Sequence, residues 1–129
     1  MALSWCFEDE ASRYSNEVLS SLSKSTAFIP PLWPLEVANG LLMAERRKRI
    51  TLQSSIQFLE QVQKLPLRIE GGVELSTAEK LLACGRSHGL TAYDSCYLLL
   101  ALKDGLPLAT EDKQLRKACR LAGVAHYKP

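Results

Sequence analysis

The chain alternates between segments with helical hydrophobic spacing and short apolar runs. In residues 10–24, apolar side chains recur every three or four positions, at Tyr14, Val18 and Leu22, which is typical of a helix with one buried face. Proline suits the first turn of a helix and glycine its end, and these signals mark the bounds of further segments with the same spacing. The sequence therefore predicts helices over residues 10–24, 34–47, 51–64, 75–88, 92–103 and 111–121.

The short apolar runs predict strands over residues 27–29, 67–69, 106–109 and 124–127. Short strands that alternate with helices indicate an α/β fold with a mainly parallel sheet. A chain of 129 residues without a linker or repeat is expected to form one domain. In such folds, ligands bind beyond the carboxyl ends of the strands, where the following helices begin.

The composition is ordinary for a globular protein, with 47% hydrophobic and 23% charged residues. The net charge of +2 does not by itself indicate a polyanion partner, although positive charge is concentrated in A-E-R-R-K-R-I, residues 44–50. Such a run fits either a solvated helix end or a surface that attracts nucleic-acid phosphate. No apolar stretch is long enough to span a membrane, no signal peptide is evident, and the four scattered cysteines lack metal-site spacing. We therefore expect a cytoplasmic protein with reduced thiols and no membrane partner.

Glu36, Asp94 and Asp112 each lie at the start of a predicted helix, just past the connection that enters it. Two interpretations are open for each carboxylate. An acid in the first turn stabilises a helix through its dipole, by about 0.3–1 kcal/mol, and T-A-Y-D at residues 91–94 has the outline of a capping box. Alternatively, the three carboxylates converge on a metal ion.

The metal interpretation is favoured by the helix that follows Asp94. Residues 95–102 are almost wholly apolar, which predicts a helix deep in its domain, where an unpaired carboxylate is unfavourable. Acids that converge at one sheet edge repel each other unless a cation neutralises them, and a carboxylate cluster without His or Cys suits Mg²⁺ or Mn²⁺. His88 and His126 are expected to have surface or capping roles.

Three segments together resemble the PIN-domain ribonucleases, and among these the VapC-type toxins of bacterial toxin–antitoxin pairs. The segments are P-P-L-W-P-L-E-V-A-N-G-L-L-M-A-E-R-R, H-G-L-T-A-Y-D-S-C-Y-L-L-L-A and G-L-P-L-A-T-E-D-K-Q-L, in the order and approximate spacing of that family. The resemblance implies a three-layer α/β/α fold and an Mg²⁺- or Mn²⁺-dependent endoribonuclease that hydrolyses RNA. It also implies a homodimer, and a cognate antitoxin protein that covers the active-site groove. Trp5, Phe7 and Trp33 fit either that groove or ordinary core packing.

The resemblance also assigns roles to residues. By motif, Glu36, Asp94 and Asp112 would be the catalytic carboxylates that hold the metal ion, and Thr110 would supply a hydroxyl that orients a ligand. The cationic side chains that could bind the RNA backbone are Arg46, Arg47, Lys48, Arg49, Lys113 and Arg116.

One departure from the family concerns the beginning of the chain. Family members begin with an apolar central strand that ends in an aspartate, whereas this sequence starts at Met1, within the helix that follows. We hypothesise that Met1 is a late start, and the rival hypothesis is a degraded toxin. We do not expect Glu8, Asp9 or Glu10 to replace the missing ligand, and we expect them to be solvated or to face a partner.

Two other functions stay open. Without its first aspartate, the chain could be a catalytically impaired PIN-like module that only binds an antitoxin or RNA. A hydrolase of the α/β phosphatase type also uses acid clusters with Mg²⁺. It requires an aspartate nucleophile directly after a first strand, and this sequence has none there.

Overall fold

The computed structural model describes residues 1–72 and 74–129 as a mixture of helices and short strands. All six predicted helices are present, with ends shifted by at most three residues. The α-helices are α1 (Arg13–Ser21), α2 (Trp33–Arg46), α3 (Leu52–Val62), α4 (Ala78–His88), α5 (Ala92–Asp104) and α6 (Lys113–Ala122). The strands are β1 (Ala27–Ile29) and β2 (Leu67–Ile69), and short 3₁₀ helices span Ala2–Trp5, Glu8–Glu10 and Leu75–Thr77.

Strands β1 and β2 have the predicted bounds and form a two-stranded parallel sheet. The backbone N–H of Ala27 donates to the carbonyl of Pro66 at 3.0 Å, and the N–H of Glu70 donates to the carbonyl of Ile29 at 2.9 Å. These bonds flank the pair at both ends and fix its register.

A second parallel pairing joins Leu108 to His126 as an isolated bridge. The predicted strands over residues 106–109 and 124–127 are therefore wrong in extent, because each contributes a single bridge residue. The N–H groups just before the bridge are already engaged at helix ends, which supplies a physical reason: Leu106 donates to the Ala101 carbonyl of α5, and Val124 donates to the Cys119 carbonyl of α6. The bridge is nevertheless well formed, with bonds of 2.9 Å from Leu108 N–H to the Ala125 carbonyl and from Tyr127 N–H to the Leu108 carbonyl.

The predicted helix over residues 10–24 is shorter than expected because a capping box starts it at Arg13. The Ser12 hydroxyl accepts the backbone N–H of Ser15 at 2.9 Å, and the Ser15 hydroxyl accepts that of Ser12 at 3.0 Å. Two backbone donors at the helix start are thereby satisfied. The residues before it, Glu8–Glu10, form a separate 3₁₀ turn.

The chain divides into two compact units, of which the first comprises Met1–Phe28 and Leu32–Arg68. Its core includes the buried residues Ala2, Val37 and Leu41, against which Trp5 and Trp33 pack. Gly40 in α2 leaves the space that the Leu3 side chain fills, since a Cβ there would overlap Leu3 Cδ1. The 3₁₀ helix Ala2–Trp5 can therefore lie directly on α2.

The N-terminal aromatic residues Trp5 and Phe7 pack in the core of the first unit and do not line an open groove. Phe7 is buried, and the Trp5 indole N–H donates to the Ser15 carbonyl at 3.0 Å. The Arg49 guanidinium lies 4.4 Å from the centroid of the Phe7 ring. Arg49 also forms ion pairs with Asp9 at 3.0 Å and Glu10 at 2.9 Å. Both acids remain solvent-accessible, as expected, and both have this internal partner.

The second unit comprises Ile29–Pro31 and Ile69–Pro129. Its buried core is formed by residues from α4, α5, α6 and the Leu108–His126 bridge region, namely Cys84, Leu98, Ala101, Leu108, Leu115, Ala118, Cys119 and Val124. Leu98 is completely buried, but Tyr93 and Leu102 are 66% and 43% exposed. The expectation that α5 is buried on all sides is therefore wrong, and the helix buries one face only.

All four cysteines are free thiols, and burial raises the pKa of the Cys119 thiol. Within residues 1–72 and 74–129, no helix has the length and apolar character needed to cross a bilayer.

Candidate active site

The start of α5 presents Asp94 in a first turn fixed by Thr91. The Thr91 hydroxyl accepts the backbone N–H of Asp94 at 3.1 Å, and the fully buried Ser95 hydroxyl donates to the Thr91 carbonyl at 2.8 Å. The part of the chain that the structure describes contains no reciprocal bond from the Thr91 amide to the Asp94 carboxylate. The predicted capping box is thus half formed. Among the described residues, the half-buried Asp94 carboxylate accepts no hydrogen bond and forms no ion pair.

The start of α6 presents Asp112, which is the N-cap residue of that helix. Its Oδ1 accepts the backbone N–H of Leu115 at 2.7 Å. One of its two oxygens therefore caps the helix, as the capping interpretation predicts. The hydroxyl of Thr110, a residue only 8% exposed, accepts the backbone N–H of Asp112 at 3.1 Å. The Asp112 side chain is exposed, and both its backbone and one of its oxygens are held in place.

The carbonyl of Thr110 accepts two further side-chain donors. Arg116 Nη2 donates to it at 3.2 Å, and His126 Nε2 lies 2.9 Å from it. A carbonyl oxygen only accepts, so His126 Nε2 carries the proton in this bond. The expectation of a surface or capping role for His126 is therefore wrong. The sequence contains no local signal for this contact, because it depends on the distant pairing with Leu108.

The starts of α5 and α6 are adjacent in the second unit. The Gln114 side-chain amide, in the first turn of α6, donates a hydrogen bond to the carbonyl of Gly89, just before α5. Gly89 adopts the left-handed conformation that ends α4, with φ of 64°. Gly85 lets the next segment approach α4 closely, since a Cβ there would be 2.9 Å from the Leu90 carbonyl oxygen. Asp94 and Asp112 thus begin neighbouring helices.

Glu36 lies in the first unit, in the first turn of α2 behind Pro34, and its side chain is exposed. The cations assigned to RNA binding are also exposed, with Arg46 and Arg47 at the end of α2. Lys113 and Arg116 occupy the first turn of α6, where the helix dipole disfavours positive charge. Helix stability therefore does not explain why cations stand at those two positions.

A family comparison covers both helix starts. The sequence model of the PIN domain matches residues 2–121. This chain belongs to the PIN domain family. PIN domains are generally nucleases and typically require a metal ion. The structure agrees with such a domain, since its described residues combine six α-helices with a small parallel sheet. A search among curated proteins finds no significant match to the chain.

The donor chemistry of this PIN domain suits a hard divalent cation. The Asp94 carboxylate and the second oxygen of Asp112 are oxygen donors at neighbouring helix starts, and Mg²⁺ and Mn²⁺ prefer oxygen ligands. Across residues 1–72 and 74–129, however, no three His, Cys, Asp or Glu side chains form a group that could hold a metal ion. The second unit supplies two of the ligands assigned by motif, and the full set with Glu36 stays a prediction.

Proposed function

We propose that this PIN domain is an Mg²⁺- or Mn²⁺-dependent endoribonuclease, acting as the VapC-type toxin of a toxin–antitoxin pair. The observation that supports this best is the pair of aspartates at the starts of α5 and α6. They lie in the motifs T-A-Y-D and A-T-E-D, within the matched residues, and the Gln114–Gly89 bond holds their helices side by side. The proposal includes the three-layer α/β/α arrangement that such toxins share.

In this proposal, Asp94, Asp112 and Glu36 hold the divalent cation. The chemistry that such a cation supplies is activation of water for in-line attack on a phosphodiester and neutralisation of the charge that develops there. Asp112 accepts the Leu115 N–H through Oδ1, which limits side-chain rotation and leaves the second oxygen available. Thr110 fixes the Asp112 backbone through its hydroxyl. The carboxylates are thereby oriented before RNA binds.

The cations at the start of α6 and the end of α2 have a matching role in the proposal. RNA carries a negative charge on every phosphate, and carboxylates alone would repel it. Lys113 is directly adjacent to Asp112 in sequence, so its ammonium group can bind a phosphate next to the one that is cleaved. Arg46 and Arg47 are exposed and would bind more distant phosphates.

Cleavage of total tRNA and of an RNA hairpin in the presence of Mn²⁺ tests this function. We expect cleavage that EDTA abolishes, and we expect Asp94→Asn to remove it while leaving the circular dichroism spectrum and thermal midpoint unchanged. The fold should persist because the Thr91 cap uses the backbone N–H of Asp94, which the substitution keeps. Asp104→Asn, the same change at the exposed other end of α5, is the matched control and should cleave normally. Undiminished cleavage by Asp94→Asn would contradict the proposed metal site.

A second candidate is a catalytically impaired PIN-like module that binds RNA or an antitoxin. The observation that favours it is the lack of a three-residue metal-binding group among the described residues. Calorimetric titration with Mn²⁺ separates the two functions. A nuclease should bind Mn²⁺ and lose that binding with Asp94→Asn, whereas the module should retain RNA or antitoxin binding with no measurable Mn²⁺ affinity.

The proposed partners are a second copy of the chain and a cognate antitoxin that inserts a basic side chain among the carboxylates. Sedimentation equilibrium should give twice the 14.3 kDa chain mass for a homodimer. Co-expression with a small protein encoded beside this chain should give a complex in which RNA cleavage is inhibited.

A further inference from the structure

We propose that Arg116 and His126 are positioning residues, which hold the loop that carries Asp112 by binding the carbonyl of Thr110. The inference rests on the proposed nuclease function for its catalytic consequence. Arg116, which the sequence analysis counts among the cations that could bind RNA, is thereby given a different role, and His126, to which no role in the site was assigned, is added. His126 also lies beyond residue 121, where the match to the PIN domain ends.

Thr110 is held through both its side-chain hydroxyl and its backbone carbonyl. Its hydroxyl accepts the Asp112 N–H, and its carbonyl accepts Arg116 Nη2 at 3.2 Å and His126 Nε2 at 2.9 Å. A carbonyl oxygen has two lone pairs, so these two donors fill its capacity. The residue is also 8% exposed, which keeps competing water away. The Thr110 side chain, the Thr110–Glu111 peptide and the Asp112 N–H are therefore all restrained.

The parallel bridge between Leu108 and His126 brings the His126 imidazole to this carbonyl. The peptide of His126 is fixed by the bonds from Leu108 N–H to the Ala125 carbonyl and from Tyr127 N–H to the Leu108 carbonyl. Leu108 lies two residues before Thr110, so the same bridge that sets the strand register places the imidazole beside the loop. The end of the chain thus contributes a donor to the site.

Arg116 reaches the same carbonyl from the first turn of α6. Its backbone N–H donates to the Asp112 carbonyl at 2.9 Å, which places it one helical turn after Asp112. A cation in that first turn is disfavoured by the helix dipole. Its guanidinium instead points back over the helix start, where the Thr110 carbonyl receives it. This contact gives the arginine a function at a position where helix stability alone would select against it.

Both donors to the Thr110 carbonyl are therefore needed to keep the Asp112 carboxylate in its orientation. If either donor is lost, the Thr110–Glu111 peptide can rotate, and the Asp112 carboxylate moves with it. Losing a residue that orients a metal ligand typically lowers activity or metal affinity about 10- to 100-fold. The substitution should therefore lower kcat and leave the binding of RNA unchanged.

The test uses His126→Ala, His126→Gln, Arg116→Ala and the matched control Arg120→Ala, another exposed arginine of α6. We expect His126→Ala and Arg116→Ala each to lower kcat about 10- to 100-fold, with KM changed less than about twofold. His126→Gln keeps a side-chain N–H donor and should recover most of the rate. Arg120→Ala should behave as the unsubstituted protein does.

A second readout does not depend on catalysis. Amide hydrogen exchange in the metal-free protein should become faster at Asp112 and Leu115 in His126→Ala and Arg116→Ala, and should stay unchanged at Leu98 in the core. Faster exchange at Leu98 as well would show a general loss of stability and would overturn the positioning role. Unchanged exchange at Asp112 would overturn it too.

The kinetic constants also distinguish a positioning role for Arg116 from direct RNA binding. A higher KM at constant kcat for Arg116→Ala would make Arg116 an RNA contact and overturn its assignment here. If the unsubstituted protein cleaves no RNA under any metal condition, the proposed nuclease function fails. The exchange measurement still decides whether Arg116 and His126 hold the Asp112 loop.

Discussion

The Thr110 hydroxyl accepts the backbone N–H of Asp112, two residues further along the chain, at 3.1 Å. This bond and the bond from Leu115 N–H to Asp112 Oδ1 form a single structural unit at the start of α6. Asp112 is a helix cap by geometry, and one of its oxygens remains available for a second role. Capping and metal binding are therefore compatible at this position rather than exclusive.

Two substitutions at Asp112 separate the cap from the proposed ligand. Asp112→Ala removes the acceptor of the Leu115 N–H and should lower the free energy of unfolding by about 1 kcal/mol. Asp112→Asn keeps an acceptor oxygen and should change it by a few tenths of a kcal/mol, yet it should lose RNA cleavage as fully as the alanine variant. Urea unfolding and the tRNA cleavage assay measure the two effects. If Asp112→Asn cleaved at the original rate, Asp112 would be a structural cap only.

Gly89 and Gly105 offer a matched pair for testing how α5 and α6 are held together. Both have positive φ, of 64° and 62°, so alanine should cost about 1 kcal/mol at either position. At Gly105 a Cβ meets no atom within 4 Å, whereas at Gly89 it would lie 3.1 Å from Gln114 Nε2. Gly89→Ala should therefore destabilise the protein more than Gly105→Ala does in urea unfolding. This additional loss of unfolding free energy should disappear when Gln114 is also replaced by alanine. If it persisted, a contact other than Gln114 would be responsible.

Burial raises the pKa of the Cys119 thiol, and this predicts a pH dependence of stability. The unfolded thiol ionises near pH 8.5, and the folded thiol ionises at a higher pH. The folded state therefore binds the proton more tightly, and stability present below about pH 8.5 should be lost as the pH rises through the folded pKa. The loss should be at most about 1.4 kcal/mol for each pH unit between the two pKa values.

Urea unfolding of the unsubstituted protein and of Cys119→Ala between pH 7 and pH 10 measures this effect. Only the change with pH is compared, because the alanine variant also lacks a buried sulfur. The stability difference between the two proteins should shift in favour of Cys119→Ala at alkaline pH. Parallel pH profiles would show that this thiol does not control alkaline stability.

The Arg49 side chain connects the N-terminal turn to the end of α2 through Asp9, Glu10 and the Phe7 ring. Arg49→Gln should lower the thermal midpoint, and the difference should narrow as NaCl is raised because exposed ion pairs are screened by salt. Arg47→Gln is the control, since Arg47 is also exposed and makes no ion pair in the part of the chain that the structure describes. Equal midpoints for the two variants would show that the Arg49 contacts are unimportant for stability.

Local patterns predicted much of the secondary structure. Strands β1 and β2 have the bounds that their apolar runs indicate, and α4 and α5 end at the glycines that were expected to stop them. Thr91 caps α5 as the T-A-Y-D motif suggests. These features depend on neighbouring residues, so a single sequence contains the information that they require.

Long-range pairing limited the other predictions. The segments over residues 106–109 and 124–127 look like strands because they are apolar, but each contributes one bridge residue only. The N–H groups of Leu106 and Val124 instead bond carbonyls at the ends of α5 and α6. The composition of α5 suggested burial on every side, whereas its neighbours cover one face. The composition of a helix shows how apolar it is, but it does not determine how many other elements pack against it.

The sequence by itself determined the helices, two strands, the caps at Thr91 and Asp112, and the motifs of the PIN domain. Only the tertiary structure decided that Gln114 binds Gly89, that Arg49 pairs with Asp9 and Glu10, and that His126 reaches the carbonyl of Thr110. Caps and helix ends are set by contacts within about one turn of chain. The other contacts join residues 16 to 40 positions apart, and their geometry is fixed by strand register and by close helix packing after the chain has folded.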